Sequence, residues 1–253
     1  MKLLAVARDL RRRRARERQG LFVCEGVRAV EELLQSPLRV RGALVAPRLD
    51  AAERGAALRQ ALEAAHVPVL PVDDREFDSA AETESPQGVL AIADVPQVTL
   101  DGLAVGATTR LLVLDAVQDP GNVGTILRTA AALGVDATVA LPGTVDLWNA
   151  KVVRSAMGAL FRHHACSATW DALDDFCRRH GLALWAADAA GEPVGSVEPP
   201  ARLALVVGNE GNGLDSRTRA RADRLVALPI ASTVESLNVA VAAGILLYVF
   251  RPR

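Results

Sequence analysis

A chain of 253 residues, half of them hydrophobic and 23% charged, can bury one large core or two smaller ones. Its formal net charge of −1 gives the body as a whole no electrostatic pull on a polyanion, since non-specific nucleic-acid binding rests on neutralised phosphates. Its longest apolar run, 237–250, is shorter than the ~20 residues that span a bilayer, so it is a core helix and no membrane partner is expected. Three cysteines (Cys24, Cys166, Cys177) leave one odd and form no disulfide framework, which fits a reducing cytoplasm. A secretory leader places its charges before a longer apolar stretch, whereas here the short run 3–7 precedes the arginines.

In chain order, the first feature is basic. Lys2, Arg8, Arg11, Arg12, Arg13, Arg14, Arg16 and Arg18 are set against only Asp9 and Glu17, which reads as a basic N-terminal arm on a nearly neutral body. Arg8 and Arg11 to Arg14 are its candidate phosphate contacts; a solvated amphipathic helix explains the same run. Val- and Leu-rich segments then alternate with helical stretches to the end of the chain, the pattern of parallel sheets covered by helices, so both halves read as α/β. The first half predicts strands near 21–24, 40–46, 67–72 and 89–93, with helices near 26–34 and 51–65. From 94 to 110 the periodicity fades among Pro, Gly and Thr. The division is therefore a smaller domain over 1–96, a linker over 97–110 and a second domain over 111–253. The second predicts strands near 111–114, 137–141, 182–187, 203–207 and 225–228, and helices near 123–133, 170–180 and 237–250.

Three polar loops of this second half each follow a strand and precede a helix, where open α/β sheets bind ligands. In DAVQDPGNVGTILRTAAALG, from Asp115, Pro120-Gly121 makes a turn and Asn122 has the chemistry of a helix cap. Arg128 follows amid Ile126, Leu127, Ala130 and Ala131; it must meet an anion or lie at the surface. In the second loop, Gly208-Asn209-Glu210-Gly211-Asn212-Gly213-Leu214, the glycines fit neither a dinucleotide fingerprint nor a P-loop. They suit either a tight turn or a nucleoside held by backbone groups with no pyrophosphate. In the third, Ser236 is a plausible cap and Asn238 is an unusual polar residue before VAVAAGILLYVF. That helix has no polar face and predicts burial on all sides, its outer face against a second subunit. His163, His164, Cys166, Cys177 and His180 lack the paired short spacings of a structural zinc site, so no metal is expected.

Taken in order, NVGTILRTAAALG, VVGNEGNGL and LPIASTVESLNVAVAAGILLY resemble the three motifs of the SpoU (TrmH-like) family of RNA ribose 2′-O-methyltransferases, in the SPOUT superfamily. AMGALFR at 156–162 is also typical, while His163-His164 departs from the apolar-proline stretch of many relatives. LFVCEGVRAVEELL and ESPQGVLAI resemble the L30e-like substrate-binding domain that precedes the catalytic domain in many members. The resemblance implies a C-terminal SPOUT domain with a trefoil knot, a bound S-adenosylmethionine, a homodimer, and structured RNA as substrate. Ribosomal RNA of the large subunit (23S) is favoured; tRNA, or a catalytically silent RNA-binding or assembly factor on the same fold, are the alternatives. Carried over by position, Gly208, Leu228, Ile230 and Leu237 belong to the cofactor pocket. Asn122, Arg128, Glu210, Ser236 and Asn238 occupy the positions tied to catalysis and RNA binding.

Overall fold

A computed structural model describes residues 2–251. They form two compact units, residues 1–97 with 148–162, and residues 98–147 with 163–253.

The first unit opens with two short helices, α1 (Leu3–Asp9) and α2 (Arg13–Gln19), where the sequence suggested an arm. Leu3, Ala7 and Leu10 recur at helical spacing, and all three are buried in a core with Leu44, Phe77 and Ile92. Burial of that stripe is what turns the basic segment from an arm into a packed element. Gly20, in the left-handed region at φ +61°, ends α2, its N–H donating to the Arg16 carbonyl at 2.8 Å. There follow β1 (Leu21–Glu25), α3 (Val27–Leu34), β2 (Val40–Val45), α4 (Glu53–Ala64), β3 (Val69–Pro71), α5 (Asp74–Asp78) and β4 (Val89–Asp94). The sheet order is β1-β4-β2-β3. This sheet is mixed where the sequence suggested a parallel one: β4 runs antiparallel to both β1 and β2, and only β2 and β3 are parallel. Buried apolar runs record that a strand is covered on both faces, and they are silent on its direction.

Residues 148–162 belong to the same unit although they lie inside the sequence of the second half. They carry α7 (Ala150–Ser155), and Phe22 sits between the rings of Trp148 and Phe161, at 4.6 and 5.9 Å. Arg162 pairs with Glu32 at 2.9 Å.

The second unit comprises β5 (Thr109–Leu114), α6 (Pro120–Ala132), β6 (Ala137–Ala140), β7 (His164–Ser167), α8 (Trp170–His180), β8 (Ala183–Pro193), β9 (Arg202–Val207), α9 (Ser216–Arg221), β10 (Arg224–Ala227) and α10 (Val239–Val249). Its six strands, in the order β10-β8-β9-β5-β6-β7, are all parallel. Strands β5, β6 and β9 contribute Leu111, Val113, Val139 and Val206 to a core closed by Leu173 and Phe176 of α8. On α10, Ala240, Ala243, Leu246 and Leu247 are buried within the chain. Val241, Ile245, Tyr248 and Val249 are 41–57% exposed, so the helix expected to be covered on all sides leaves an apolar face open. Its end is held by the buried Arg110, which donates to the Phe250 and Ala201 carbonyls at 2.7 and 2.6 Å. A cation there satisfies carbonyls that the last helical turn leaves free.

Candidate active site

Strand order reverses beside β5: the chain runs outward through β6 and β7, then returns to build β8, β9 and β10 on the other side. At such a switch point the loops beyond the carboxyl ends of adjacent parallel strands splay apart and leave a crevice. The loops after β5, β9 and β10 are the three singled out by sequence.

Their side chains settle into one arrangement. Asp119, rather than Asn122, caps α6, accepting from the Asn122 N–H at 2.8 Å, and Pro120 fills the first helical position where no N–H is required. Released from capping, Asn122 points its side-chain amide away from the helix. Asn238, rather than Ser236, caps α10, its Oδ1 accepting from the N–H groups of Ala240 and Val241 at 2.9 and 3.3 Å. In both helices the cap is a neighbour of the residue that sequence pattern favoured, Asp119 three residues before Asn122 and Asn238 two residues after Ser236.

Glu210 connects the second loop to the first. Its carboxylate accepts from the backbone N–H of Gln118 at 3.2 Å, from that of Asp119 at 3.1 Å and from Asn122 Nδ2 at 3.2 Å. Asn122 Oδ1 in turn accepts from Asn238 Nδ2 at 3.0 Å. The orientation of both amides follows from donor and acceptor capacity. A carboxylate only accepts, so Asn122 must show it the NH2 and turn its oxygen to Asn238. Asn238 must then give its own oxygen to the helix N–H groups. Glu210, Asn122 and Asn238 thus join three loops distant in sequence. Burial opposes ionisation of Glu210, but its own backbone N–H, Asn122 and the two loop N–H groups outweigh it and hold the carboxyl below its ordinary value.

The second loop is braced from within. Asn209 and Gly213 exchange backbone hydrogen bonds at 3.0 and 2.9 Å. A Cβ on Gly208 would stand 2.6 Å from the Gly213 carbonyl oxygen, so glycine is required there by close approach. Asn209 Nδ2 donates to the carbonyl of Ala116 at 2.8 Å, and its Oδ1 accepts from Gly211 and Asn212, each at 3.0 Å. Ala116 itself sits at φ +57°, a left-handed conformation uncommon for a residue with a side chain.

A cleft of about 310 Å³ opens beside these loops. All four residues assigned to a cofactor, Gly208, Leu228, Ile230 and Leu237, line it, together with Glu210 and Ser236. Its walls are largely aliphatic, from Val207, Val226, Val239 and Leu246. Among the described residues Arg219 is the one cation on them, and it donates to Asp188 at 2.7 Å. Nothing there would neutralise a phosphate chain, while Glu210 and Glu235 offer negative charge. This suits a nucleoside-type ligand bearing positive charge.

Arg128 is exposed on α6 and makes no side-chain hydrogen bond or ion pair among the described residues. Neither it nor Ser236 joins the hydrogen-bonded chain, although Ser236 lines the cleft. Of the basic residues near the N-terminus, Arg8 donates to Ser79 Oγ at 2.8 Å, Arg11 reaches the Ser79 carbonyl at 3.5 Å, Arg12 pairs with Asp9, and Arg13 pairs with Glu17 at 2.8 Å. Arg14 is exposed. Sequence reading missed Asp188 and Arg219 in the cleft, and Asn209 as the organiser of its own loop. Asn209 lay within the quoted motif, whereas Asp188 falls just past the predicted end of its strand. His163 is half-buried against Thr138 Oγ1 at 2.8 Å, and the partial burial holds its imidazole down at about 4. Among the described residues, no group of His, Cys, Asp and Glu converges as metal ligands, and no helix is long and apolar enough to cross a membrane.

A parallel α/β unit with a phosphate-free nucleoside cleft at its switch point, fenced by an amide–carboxylate chain, defines a class of enzyme that handles a nucleoside cofactor. The sequence profile of the SpoU rRNA Methylase family matches residues 109–248, and that of the MRM3-like substrate binding domain matches residues 5–91. The chain belongs to the SpoU rRNA methylase family. It is 35% identical over 246 residues to the 23S rRNA (guanosine(2553)-2′-O)-methyltransferase RlmP of Bacillus subtilis, covering 96% of this chain and 94% of the relative. It is 36% identical over 195 residues to the 23S rRNA (guanosine-2′-O-)-methyltransferase RlmB of Ralstonia nicotianae, covering 75% and 78%. Among solved structures it resembles the SpoU methyltransferase AviRb of Streptomyces viridochromogenes in complex with AdoMet, with a TM-score of 0.88, 27% identity, and 98% and 96% of the two chains covered.

Proposed function

We propose that this protein transfers a methyl group from S-adenosylmethionine to a ribose 2′-hydroxyl of 23S ribosomal RNA, as a cytoplasmic homodimer. The observation that carries the reading is the hydrogen-bonded chain Glu210–Asn122–Asn238 at the rim of a cleft suited to a cationic nucleoside. A binding protein without chemistry would need the cleft but has no evident use for such a rigid polar rim.

Bound S-adenosylmethionine supplies an electrophilic methyl group and leaves as a neutral thioether. The aliphatic walls with Leu228, Ile230 and Leu237 cover the ligand, while the Gly208 backbone permits close approach. Asn122, held by Glu210 and Asn238, orients the ribose; holding reactants in register lowers the barrier by sparing their entropy. A guanidinium holds its protons too firmly to act as a base, so Arg128 grips the phosphate next to the target and stabilises the developing alkoxide, while the hydroxyl proton passes to solvent. Its lack of a partner among the described residues leaves its donors available. Ser236 closes the rim from the third loop.

Several structural assignments accompany this reading. The first domain, over 1–96 and joined by a linker over 97–110, is an L30e-like RNA-binding domain, with Arg14 and neighbouring arginines as phosphate contacts. Residues 111–253 form a SPOUT domain with a trefoil knot. In support, the chain leaves the sheet at its β10 edge, yet α10 returns to pack on α6 and to end at Arg110 of the interior strand β5. The exposed apolar face of α10 serves dimerisation: Ile245→Glu should give a monomer by light scattering, and an unchanged oligomer would exclude that face.

The test is incorporation of label from methyl-labelled S-adenosylmethionine into RNA from cells lacking the gene. Label is expected in 23S rRNA, and the site should become resistant to alkaline cleavage. Label on a base, or only in tRNA, would refute the assignment.

A further inference from the structure

Strand β8 is interrupted where it passes the cleft. It pairs with β10 through Trp185 and Ala186 and again through Glu192 and Pro193, and the residues between bulge out of register. The bulge is built in: a Cβ on Gly191 would lie 2.5 Å from the backbone of Leu225 and Val226. Its effect is to place Asp188 in the cleft wall with only 8% of its side chain exposed. There Asp188 Oδ1 accepts from the Ala190 N–H at 2.9 Å, and Oδ2 from Arg219 Nε at 2.7 Å. Arg219 comes from α9, on the far side of the glycine loop in sequence. A bulge that costs ladder hydrogen bonds therefore delivers a carboxylate to the arginine of the cleft.

We propose that Asp188 is a specificity-determining residue: by cancelling the nearby charge of Arg219, it leaves the negative field of the cleft unopposed and so lets the cleft favour a cationic sulfonium donor over the neutral thioether product. This rests on the cofactor reading above. S-Adenosylmethionine and S-adenosylhomocysteine share every group except one methyl and its unit charge, so a field in the cleft acts on the difference between them. The carboxylate is held ionised, burial being outweighed by the Ala190 N–H and Arg219. In a cleft of about 310 Å³ the ligand's charge cannot lie far from the pair. An uncompensated unit charge within roughly 8 Å at an effective dielectric of roughly 40 shifts relative affinity about three- to tenfold.

The experiment measures equilibrium binding of S-adenosylmethionine and S-adenosylhomocysteine to the full chain by calorimetry, with no RNA and no turnover. Asp188→Asn, which frees the Arg219 charge, should lower the ratio of donor to product affinity about three- to tenfold. Arg219→Gln, which frees the carboxylate, should raise it. The double variant should return the ratio near that of the wild type. A purely architectural pair would weaken both ligands alike and leave the ratio unmoved in both single variants, which would overturn the proposal. Failure of the wild-type protein to bind either ligand would instead overturn the cofactor reading.

Discussion

Glu210→Gln tests the amide–carboxylate chain. Glutamine keeps the shape of the side chain but turns one acceptor oxygen into a donor, facing three donors: the N–H groups of Gln118 and Asp119 and the amide of Asn122. At least one of them loses its partner. A hydrogen bond to a charged acceptor contributes ~1.5–3 kcal/mol when buried, and solvent around the exposed Glu210 screens this down, so a net loss of about 1–2 kcal/mol is expected. For a chain of this size that lowers Tm by roughly 2–6 °C. The sign of the pH effect follows from the depressed carboxyl of Glu210. Its contribution is present above the ordinary glutamate value of ~4.3 and is lost as pH falls through the lower folded value. The gap between wild type and variant should therefore be full at pH 7 and close on acidification, measured by thermal melts across that range. Turnover should fall about tenfold as Asn122 loses its fixed orientation. A gap that is absent at pH 7, or equally wide at low pH, would refute the network as drawn.

Arg128→Lys keeps the charge and loses the planar fork, so single-turnover methylation should slow by about 10-fold or more at saturating RNA; a normal rate would exclude the two-pronged grip. Asp115 at the end of β5 is buried, its Oδ2 accepting from Thr218 Oγ1 at 2.5 Å, and burial raises its carboxyl against the pull of that hydroxyl. Folded protein consequently loses stability as pH rises from the ordinary aspartate value through the raised one; Asp115→Asn should remove that segment from the Tm–pH curve. Ala116→Gly relieves the left-handed backbone at φ +57° and should raise Tm by a few degrees, about 1 kcal/mol, with the Asn209 contact to its carbonyl retained.

The elements most legible in the sequence were those with uninterrupted apolar patterns. Helix α8 was read over the span it occupies, 170–180, and β5, β9 and β10 differ from expectation by one or two residues at their ends. What escaped was governed by partners remote in sequence. Helices α1 and α2 were masked by arginines, although Leu3, Ala7 and Leu10 carry the stripe that buries α1 and Ala15 is buried on α2. The extension of β8 to Pro193 depends on its bulge against β10, and a bulge leaves no periodic trace. Residues 148–162 give no local sign that they pack with Phe22.

The site was legible as residue types but not as a circuit. Read singly, Asn122 and Ser236 looked like caps, yet Asp119 and Asn238 take those roles. That substitution matters for chemistry. A capping Asn122 would spend its oxygen on backbone N–H groups and leave Glu210 and Asn238 unconnected. With Asp119 in the cap, Asn122 faces the other two loops, and every donor and acceptor along the chain has one permitted direction. Under the proposed mechanism it is useful that Arg128 stands outside that circuit: a guanidinium already paired within the protein would have to give up that partner to take a phosphate. On that proposal the rigid part of the site fixes where a ribose can sit, while a cation with no partner among the described residues is left for the nucleic acid to satisfy.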